Sequence, residues 1–378
     1  MRIWIDGYEA NVEQRLGSSQ VAYELLRHLE ENDQINDYTV LLPNPPLEDL
    51  PRERAGWKYR ILKPEKFWTR IALPLALYSA KDKPDIFFSP THYIPRFSPA
   101  SVKKIVTVFD LSFLHFPETF LKKDLYKLKN WTKFSVENAD YIITISQFSK
   151  EDICKEYKVP KEKITVAYPG YDREQFRIQN SEFRIKTVKK KYKIESNYII
   201  YIGTLQPRKN LIRLIEAFAR TEDQIQLVIV GKTEGEGKEG WMYEEILKTP
   251  QSLGIENRVK FLGFVPIKNL PLLLAGAQAF ILPSLWEGFG IPVVEAMASG
   301  VPVVVSNVSS LPEVVGKAGL LVDPYSVDQI EQAIRIVTTD NKLCQKYSKA
   351  GIIQARKFSW SKMARSVLKV FEKVTLKV

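Results

Sequence analysis

The chain has 378 residues, 45% of them hydrophobic and 26% charged, with 55 Lys and Arg against 44 Asp and Glu, a net charge of +11. Those proportions exclude intrinsic disorder, and two cysteines 190 positions apart, Cys154 and Cys344, exclude a disulfide scaffold and suit a reducing cytoplasm. The length is that of two domains, each large enough to bury a core.

The opening run Met1 to Gly7 is short, apolar and ended by Asp6 and Gly7, so it reads as a buried strand and not as a secretory leader. Further strands are expected at 38–42, 59–62, 85–89, 105–108, 141–145 and 164–166, with helices at 18–31, 121–138 and 146–157. The longest apolar stretch, 71–78, is far short of the ~20 residues that span a bilayer. After a polar stretch and a lysine-rich helix ending at Tyr192, the alternation resumes. Strands at 198–202, 226–230, 259–262, 279–282, 303–306 and 320–322 alternate with helices beginning near Asn210, Trp241, Pro266, Pro292, Leu311 and Val327. Such alternation predicts an α/β chain of two doubly wound, Rossmann-like domains facing across a cleft, with ligands beyond the carboxyl ends of the strands.

The charge is uneven. Residues 1–170 carry a net +2 and residues 171–378 a net +9; the tail from Asn341, with ten basic residues and the single acid Glu372, is also +9 and reads as a solvated helix face. Residues 51–70 hold seven basic and two acidic residues, with Lys58, Arg60, Lys63, Lys66 and Arg70 interleaved with Trp57, Phe67 and Trp68. That segment is either a solvated face or a contact with an anionic membrane surface. No RNA- or DNA-binding motif accompanies the charge, so nucleic acid is not an expected partner.

Two strand ends carry chemistry. The strand at 198–202 runs into Gly203-Thr204-Leu-Gln-Pro-Arg208-Lys209-Asn210, where the glycine turns the chain, Asn210 can cap a helix, and two cations can hold a phosphate or simply be surface charge. The strand at 279–282 runs into Pro283-Ser-Leu-Trp-Glu287-Gly288-Phe289-Gly290-Ile291-Pro292-Val-Val-Glu295, with Gly300 and Pro302 stopping the helix. Loop amides from Gly288 to Ile291 would form an anion site backed by a helix dipole worth roughly 0.3 to 2 kcal/mol. Glu287 and Glu295 can grip different hydroxyls of one ligand. A buried acid beside an anion site suggests a hydroxylated phosphate ester.

The run from Glu287 to Val304, together with Gly203 to Asn210, resembles the retaining glycosyltransferases of family 4, of the two-domain GT-B type and mannosyltransferase-like branch. The resemblance implies an acceptor domain, 1–172 joined by a returning helix at 359–378, and a donor domain at 173–358. It implies that Glu287 holds a hydroxyl of the donor sugar, Glu295 the nucleotide ribose, and Arg208 and Lys209 the diphosphate. Donor contacts are further implied for Gly203, Thr204, Gly288, Phe289, Gly290 and Ile291, for Phe264 and Val265 beside the base, and for Gly17 and Ser18 in the first domain. On the acceptor side it points to His92, Tyr93 and Asp110, the last also a catalytic candidate with Glu287, Arg208 and Lys209.

Thr204 stands where many members carry arginine, and Phe109 where many carry the histidine that touches the donor sugar; His92 or His115 could fill that gap or serve as strand-end hydrogen-bonding residues. The resemblance implies front-face attack by an acceptor hydroxyl, with GDP-mannose as donor and a UDP-sugar second. The acceptor is a glycan or lipid-linked glycan, and neither cofactor nor metal is expected. A nucleotide-sugar epimerase is the alternative within the fold. A nicotinamide-dependent dehydrogenase is disfavoured by Asp6-Gly7-Tyr8 after the first strand. The expected location is the cytoplasm, with the inner membrane face as a contact.

Overall fold

In the computed structural model, which describes residues 1–176, 182–221, 224–231 and 243–376, all the strands expected from the sequence are present. Their ends move by no more than two residues. The first sheet contains β1 (Arg2–Asp6), β2 (Asp37–Leu42), β3 (Trp57–Ile61), β4 (Ile86–Ser89), β5 (Lys103–Thr107), β6 (Tyr141–Thr144) and β7 (Ile164–Val166), in the order β3-β2-β1-β4-β5-β6-β7. The second contains β8 (Asn197–Ile202), β9 (Ile225–Val230), β10 (Val259–Phe261), β11 (Ala279–Leu282), β12 (Val303–Ser306) and β13 (Leu320–Val322), in the order β10-β9-β8-β11-β12-β13. Every pairing between named strands is parallel. Strands such as β4 and β11 are buried at every residue, which is why they read as continuous apolar runs and not as alternating ones.

Helices α1 (Ser18–Asn32), α2 (Leu73–Ser79), α3 (Ser112–His115), α4 (Lys122–Asn138) and α5 (Gln147–Tyr157) connect the first sheet. The rest of the chain adds α6 (Arg173–Phe176), α7 (Glu182–Lys191), α8 (Leu211–Ala219), α9 (Glu244–Ser252), α10 (Leu270–Ala275), α11 (Ile291–Ala298), α12 (Leu311–Val315), α13 (Val327–Thr339), α14 (Asn341–Ala355) and α15 (Trp360–Thr375). The helix start expected at Trp241 lies outside the described residues. Pro266 opens a short 3-10 turn at Ile267–Asn269, and the α-helix follows only at Leu270.

Contacts divide the chain into two compact units, one of residues 1–115, 122–170 and 359–378 and the other of residues 116–121 and 171–358. Segment 116–121, assigned by continuity to the first domain, groups with the second unit, where Phe116 meets Trp286 with ring centroids 6.0 Å apart. The last helix belongs to the first unit. Its apolar residues Trp360, Met363, Ala364, Val367, Val370, Phe371 and Val374 recur at helical spacing and are buried, and the helix packs on α1, with Phe371 edge-on to Phe88 at 5.4 Å. Its entry is tight: a Cβ on Gly170 would lie 2.1 Å from the backbone nitrogen of Trp360, so only glycine fits there.

The basic segments are resolved differently. Along the tail, Lys342, Lys346, Arg356, Lys357, Lys362, Arg365, Lys369 and Lys373 are exposed, as a solvated face requires. In 51–70 Arg54 is half-buried and paired with Glu30 and the other six cations are exposed, but Trp57 is fully buried as an inward residue of β3, and Trp68 is 7% exposed with its Nε1–H donating to Asp6 Oδ1 at 2.9 Å. Neither tryptophan can meet a membrane. The exposed apolar residues are instead Phe67, Ile71, Leu75 and Tyr78, at spacings of four, four and three along the π-helical turn Trp68–Ala72 and α2, elements the sequence reading did not assign. Among the described residues no helix is long and apolar enough to cross a membrane. Both cysteines are free and half-buried.

Candidate active site

In the second sheet the strand order reverses between β8 and β11, the place where doubly wound sheets bind ligands. The loops leaving these two strands are joined by the backbone N–H of Leu285, which donates to the Arg208 carbonyl at 2.8 Å. Asn210 does not cap α8 with its side chain, the role its position suggested. It sits at φ 62°, and its Nδ2 donates to the carbonyls of Pro283 (2.9 Å) and Pro324 (2.6 Å), tying together the loops after β8, β11 and β13.

Glu287 is 6% exposed. Its Oε1 accepts from Lys209 Nζ at 2.6 Å and from the Ser284 hydroxyl at 2.7 Å, while Arg208 Nη1 lies 3.9 Å from Oε2 and donates to the Trp286 carbonyl at 3.0 Å. The main chain is held as well: the Glu287 N–H donates to Ser309 Oγ at 3.1 Å and its carbonyl accepts from Ser310 Oγ at 2.9 Å. A buried carboxylate would be strongly disfavoured without such partners. Beneath it, burial and then the Glu287 charge push the Tyr201 phenol well above its ordinary pKa; its hydroxyl donates to the Thr204 carbonyl at 3.0 Å. The sequence reading found Glu287, Arg208 and Lys209 but not Ser284, Ser309, Ser310 or Tyr201.

Beside this cluster begins α11. Gly290, at φ 94°, precedes it and no side chain caps its first turn; Pro292 carries no N–H and the Val293 N–H donates to the Gly290 carbonyl at 3.0 Å, which leaves the Ile291 amide of that turn for an anion. Gly288 and Gly290 are buried. Phe289 is 2% exposed with its ring edge-on to Phe358 at 5.2 Å, so its side chain packs the unit and only its backbone can serve a ligand. Ile291 is half-buried at the helix start. Burial of the Glu295 carboxyl, with Asp172 nearby as the second cause, pushes its pKa up to about 7 although the residue as a whole is half-buried. Asp172 is a neighbour the sequence spacing did not reveal. In the loop after β10, Phe264 is 50% exposed and able to lie against a base, whereas Val265, expected there too, is 3% exposed with its side chain in the core. Gly203 is half-buried and Thr204 exposed.

In the first unit, Gly17 at φ 57° opens α1 without a side-chain cap, and the Ser18 hydroxyl donates to Glu9 Oε2 at 3.2 Å. His92 is engaged: Nε2 accepts the Phe109 N–H at 3.1 Å, and burial lowers its pKa to about 4 against the opposing effect of Asp110. Hydrogen-bonded to the backbone, it makes the strand-end contact that one of the two readings offered for it requires. Asp110 Oδ1 accepts the Ser112 N–H at 2.8 Å at the start of α3. The Tyr93 ring packs edge-on to Trp131 at 5.5 Å. His115 Nε2 lies 3.0 Å from both carboxylate oxygens of Asp152, and with Glu156 these residues bring three metal-capable atoms within 4.8 Å of one another, a grouping that sequence spacing did not show.

Comparison with known proteins adds family evidence to this geometry. A family model described as glycosyl transferases group 1 matches residues 184–354, and one described as glycosyltransferase family 4 matches residues 16–175. O-antigen chain mannosyltransferase B of Escherichia coli is 32% identical over 321 residues, 83% of this chain and 79% of that one. Serotype-specific mannosyltransferase WbdA of Escherichia coli is 29% identical over 63% of this chain, which spans 29% of WbdA. Among solved structures, sucrose-phosphate synthase from Thermosynechococcus elongatus superposes over the whole of both chains with a TM-score of 0.79 at 18% identity. Anabaena HepE in complex with UDP and glucose gives 0.75 at 20% identity over 98% of this chain and 99% of its own. At such identities these two likenesses establish the fold.

Proposed function

The chain belongs to glycosyltransferase family 4 and is a glycosyltransferase, and on that premise we propose that it transfers mannose from GDP-mannose, with retention, to a hydroxyl of a growing glycan or lipid-linked glycan. One observation carries the reading: a buried carboxylate, Glu287, held by Lys209 and Ser284 at the β8/β11 reversal, next to an uncapped helix N-terminus. Mannose is favoured because the named relatives are mannosyltransferases. A UDP-sugar is the second reading, favoured by the UDP and glucose held in HepE.

Glu287 orients the donor sugar through a hydroxyl. Departure of the nucleoside diphosphate builds negative charge, which Lys209, Arg208 and the amides of Gly288 to Gly290 meet; removing one such contact typically costs about 10² to 10³ in rate. Glu295 takes the ribose hydroxyls and Phe264 flanks the base. Gly203, Thr204, Gly17 and Ser18 join the donor contacts on the strength of the family resemblance. Glu287 is committed to Lys209 and Ser284, so it is not assigned as a covalent nucleophile. The acceptor oxygen forms its bond to the anomeric carbon on the face the phosphate leaves, and a phosphate oxygen takes its proton. These groups need no bound metal for the step. Residues 1–172 with 359–378 serve the acceptor, residues 173–358 the donor.

In this reading the reaction runs at the cytoplasmic membrane surface, and the observation that supports it is the exposed line Phe67, Ile71, Leu75 and Tyr78 beside the exposed cations Lys63, Lys66 and Arg70, apolar residues for the headgroups and charge for anionic lipid. The test is GDP release from GDP-mannose with a mannan-type acceptor, with the anomeric configuration of the product read by NMR. Retention with GDP-mannose supports the reading. Inversion, or turnover with a UDP-sugar alone, contradicts it.

A further inference from the structure

His115 closes α3, and α5 brings Asp152 and Glu156 to it, all three within the first unit. Asp152 and Glu156 lie one turn apart on the same face of α5, and His115 Nε2 stands 3.0 Å from both oxygens of Asp152. Equal distances put the imidazole on the bisector of the carboxylate, shared between two acceptors instead of aimed at one. One donor atom from each of the three residues lies within 4.8 Å of the other two. Ligands of a first-row divalent ion sit about 2.0 to 2.2 Å from it and hence roughly 3 to 4 Å from one another. His115 and Asp152 thus stand at ligand spacing, and Glu156 needs a small turn at most. It can make that turn because it is exposed, whereas Asp152 is buried and His115 half-buried.

Charge and an orphaned polar atom point the same way. Glu156 and Asp110 both act on the Asp152 carboxylate as like charges, and among the described residues its one ion pair is with His115. Glu156 meets Lys155 at 3.9 Å with the lysine side chain 78% exposed, a pair of little strength. A divalent cation would offset this acidic excess. The hydroxyl of Tyr157, the residue after Glu156, is shut off from solvent and has no hydrogen-bond partner among the described residues. Asp152 and Glu156 lie close enough for their charges to act on that phenol. A buried polar atom without a protein partner calls for a water or an ion nearby, and a water carried by an ion bound here would serve it.

We propose that His115, Asp152 and Glu156 bind a divalent first-row transition ion, zinc being the best match, with water completing its shell, and that this ion pins α3 to α5. One imidazole with two carboxylates suits zinc better than magnesium or calcium, which prefer oxygen ligands alone. A helix as short as Ser112–His115 does not sustain itself, so α3 depends on such a tie. Cys154, two residues from Asp152 on α5, points to another side of that helix and is not a ligand. The proposal is independent of the glycosyltransferase reading, and the transfer step takes nothing from this ion.

The experiment titrates the full chain, stripped of metal by a chelator and kept reduced, with Zn²⁺ by calorimetry and with Co²⁺ by absorption. One ion per chain is expected, with affinity lowered about tenfold or more by His115→Gln and by Asp152→Asn, and by a smaller factor in Glu156→Gln. The last variant changes an exposed side chain, so misfolding does not explain its loss, and melting temperatures without metal show whether the other two are folded. Co²⁺ should give the visible bands of nitrogen and oxygen ligation without the near-ultraviolet band of a thiolate, and equimolar Mg²⁺ or Ca²⁺ should not displace Zn²⁺. Zn²⁺ should slow amide exchange in α3 of the parent and not of His115→Gln. No binding, a thiolate band, displacement by Mg²⁺ or Ca²⁺, or undiminished affinity in all three variants overturns the site. Exchange in α3 that is indifferent to Zn²⁺ overturns the pinning.

Discussion

Lys209 Nζ lies 2.6 Å from Glu287 Oε1, joining two residues 78 positions apart whose side chains are 12% and 8% exposed. A cation read from the sequence as a phosphate ligand and an acid read as a sugar ligand thus form one ion pair. Donor binding would have to share or rearrange that pair, which makes it the place where binding and chemistry meet.

Lys209→Ala and Glu287→Ala are each expected to lower kcat by about 10² to 10³ or more. Each also strands a buried partner, for which breaking a buried pair typically costs about 3 to 5 kcal/mol. The double variant Lys209→Met/Glu287→Leu should regain stability but not activity. Melting temperature and kcat, measured on all three, separate the two effects; near-normal turnover in either single variant would sink the assignment.

Glu295 gives a pH dependence. Its pKa of about 7 lies above the ordinary 4.5, so between those values the folded chain holds a proton the unfolded chain has lost. Its contribution to stability is therefore full below pH 4.5 and lost as pH rises through 7. Ribose hydroxyls need the carboxylate as acceptor, so binding below pH 7 must release a proton. Affinity for GDP should rise with pH, by up to about tenfold per unit below 7, and level off above it. Calorimetry from pH 6 to 8 tests this, and Glu295→Gln should flatten the curve. An unchanged slope in that variant would show another group to be responsible.

The returning helix is predicted to hold the first unit together. Phe371 is fully buried against Phe88, so Phe371→Ala should cost about 3 to 5 kcal/mol. Gly170→Ala places a methyl 2.1 Å from the Trp360 nitrogen and should lower the melting temperature despite its small volume. Denaturant midpoints decide; a Gly170→Ala protein as stable as the parent would mean that the chain crossing yields easily.

Membrane contact, if it uses the exposed apolar line, should fail in Ile71→Glu/Leu75→Glu while the melting temperature holds, because both residues face solvent. Sedimentation with anionic liposomes is expected to pull down the parent and not the variant, with neutral liposomes retaining neither. Equal sedimentation of parent and variant would remove this face from the account.

Most strands were legible because the inner strands of a parallel sheet are apolar on both faces and are punctuated by glycine, proline and asparagine. Less visible was α2, short and opening with Leu73-Pro74 after a π-helical turn, which propensity does not anticipate. Trp57 and Trp68 misled because proximity to cations in sequence says nothing about which way a ring points. In β3 the alternation sends Trp57 inward while Lys58 and Arg60 stay exposed. Within the site, the sequence yielded the residues on the two motif loops. Ser309, Ser310 and Asp172 come from other loops, and only the folding of the second unit shows that they hold or face Glu287 and Glu295.

The central claim is that this unit binds a guanine nucleotide sugar through Lys209, and calorimetric titration of GDP into the parent and Lys209→Ala tests it most directly. The account predicts binding to the parent that is at least tenfold tighter than UDP binding and that falls at least tenfold in Lys209→Ala. Equal or tighter binding of UDP, or GDP binding that is indifferent to Lys209, would contradict it.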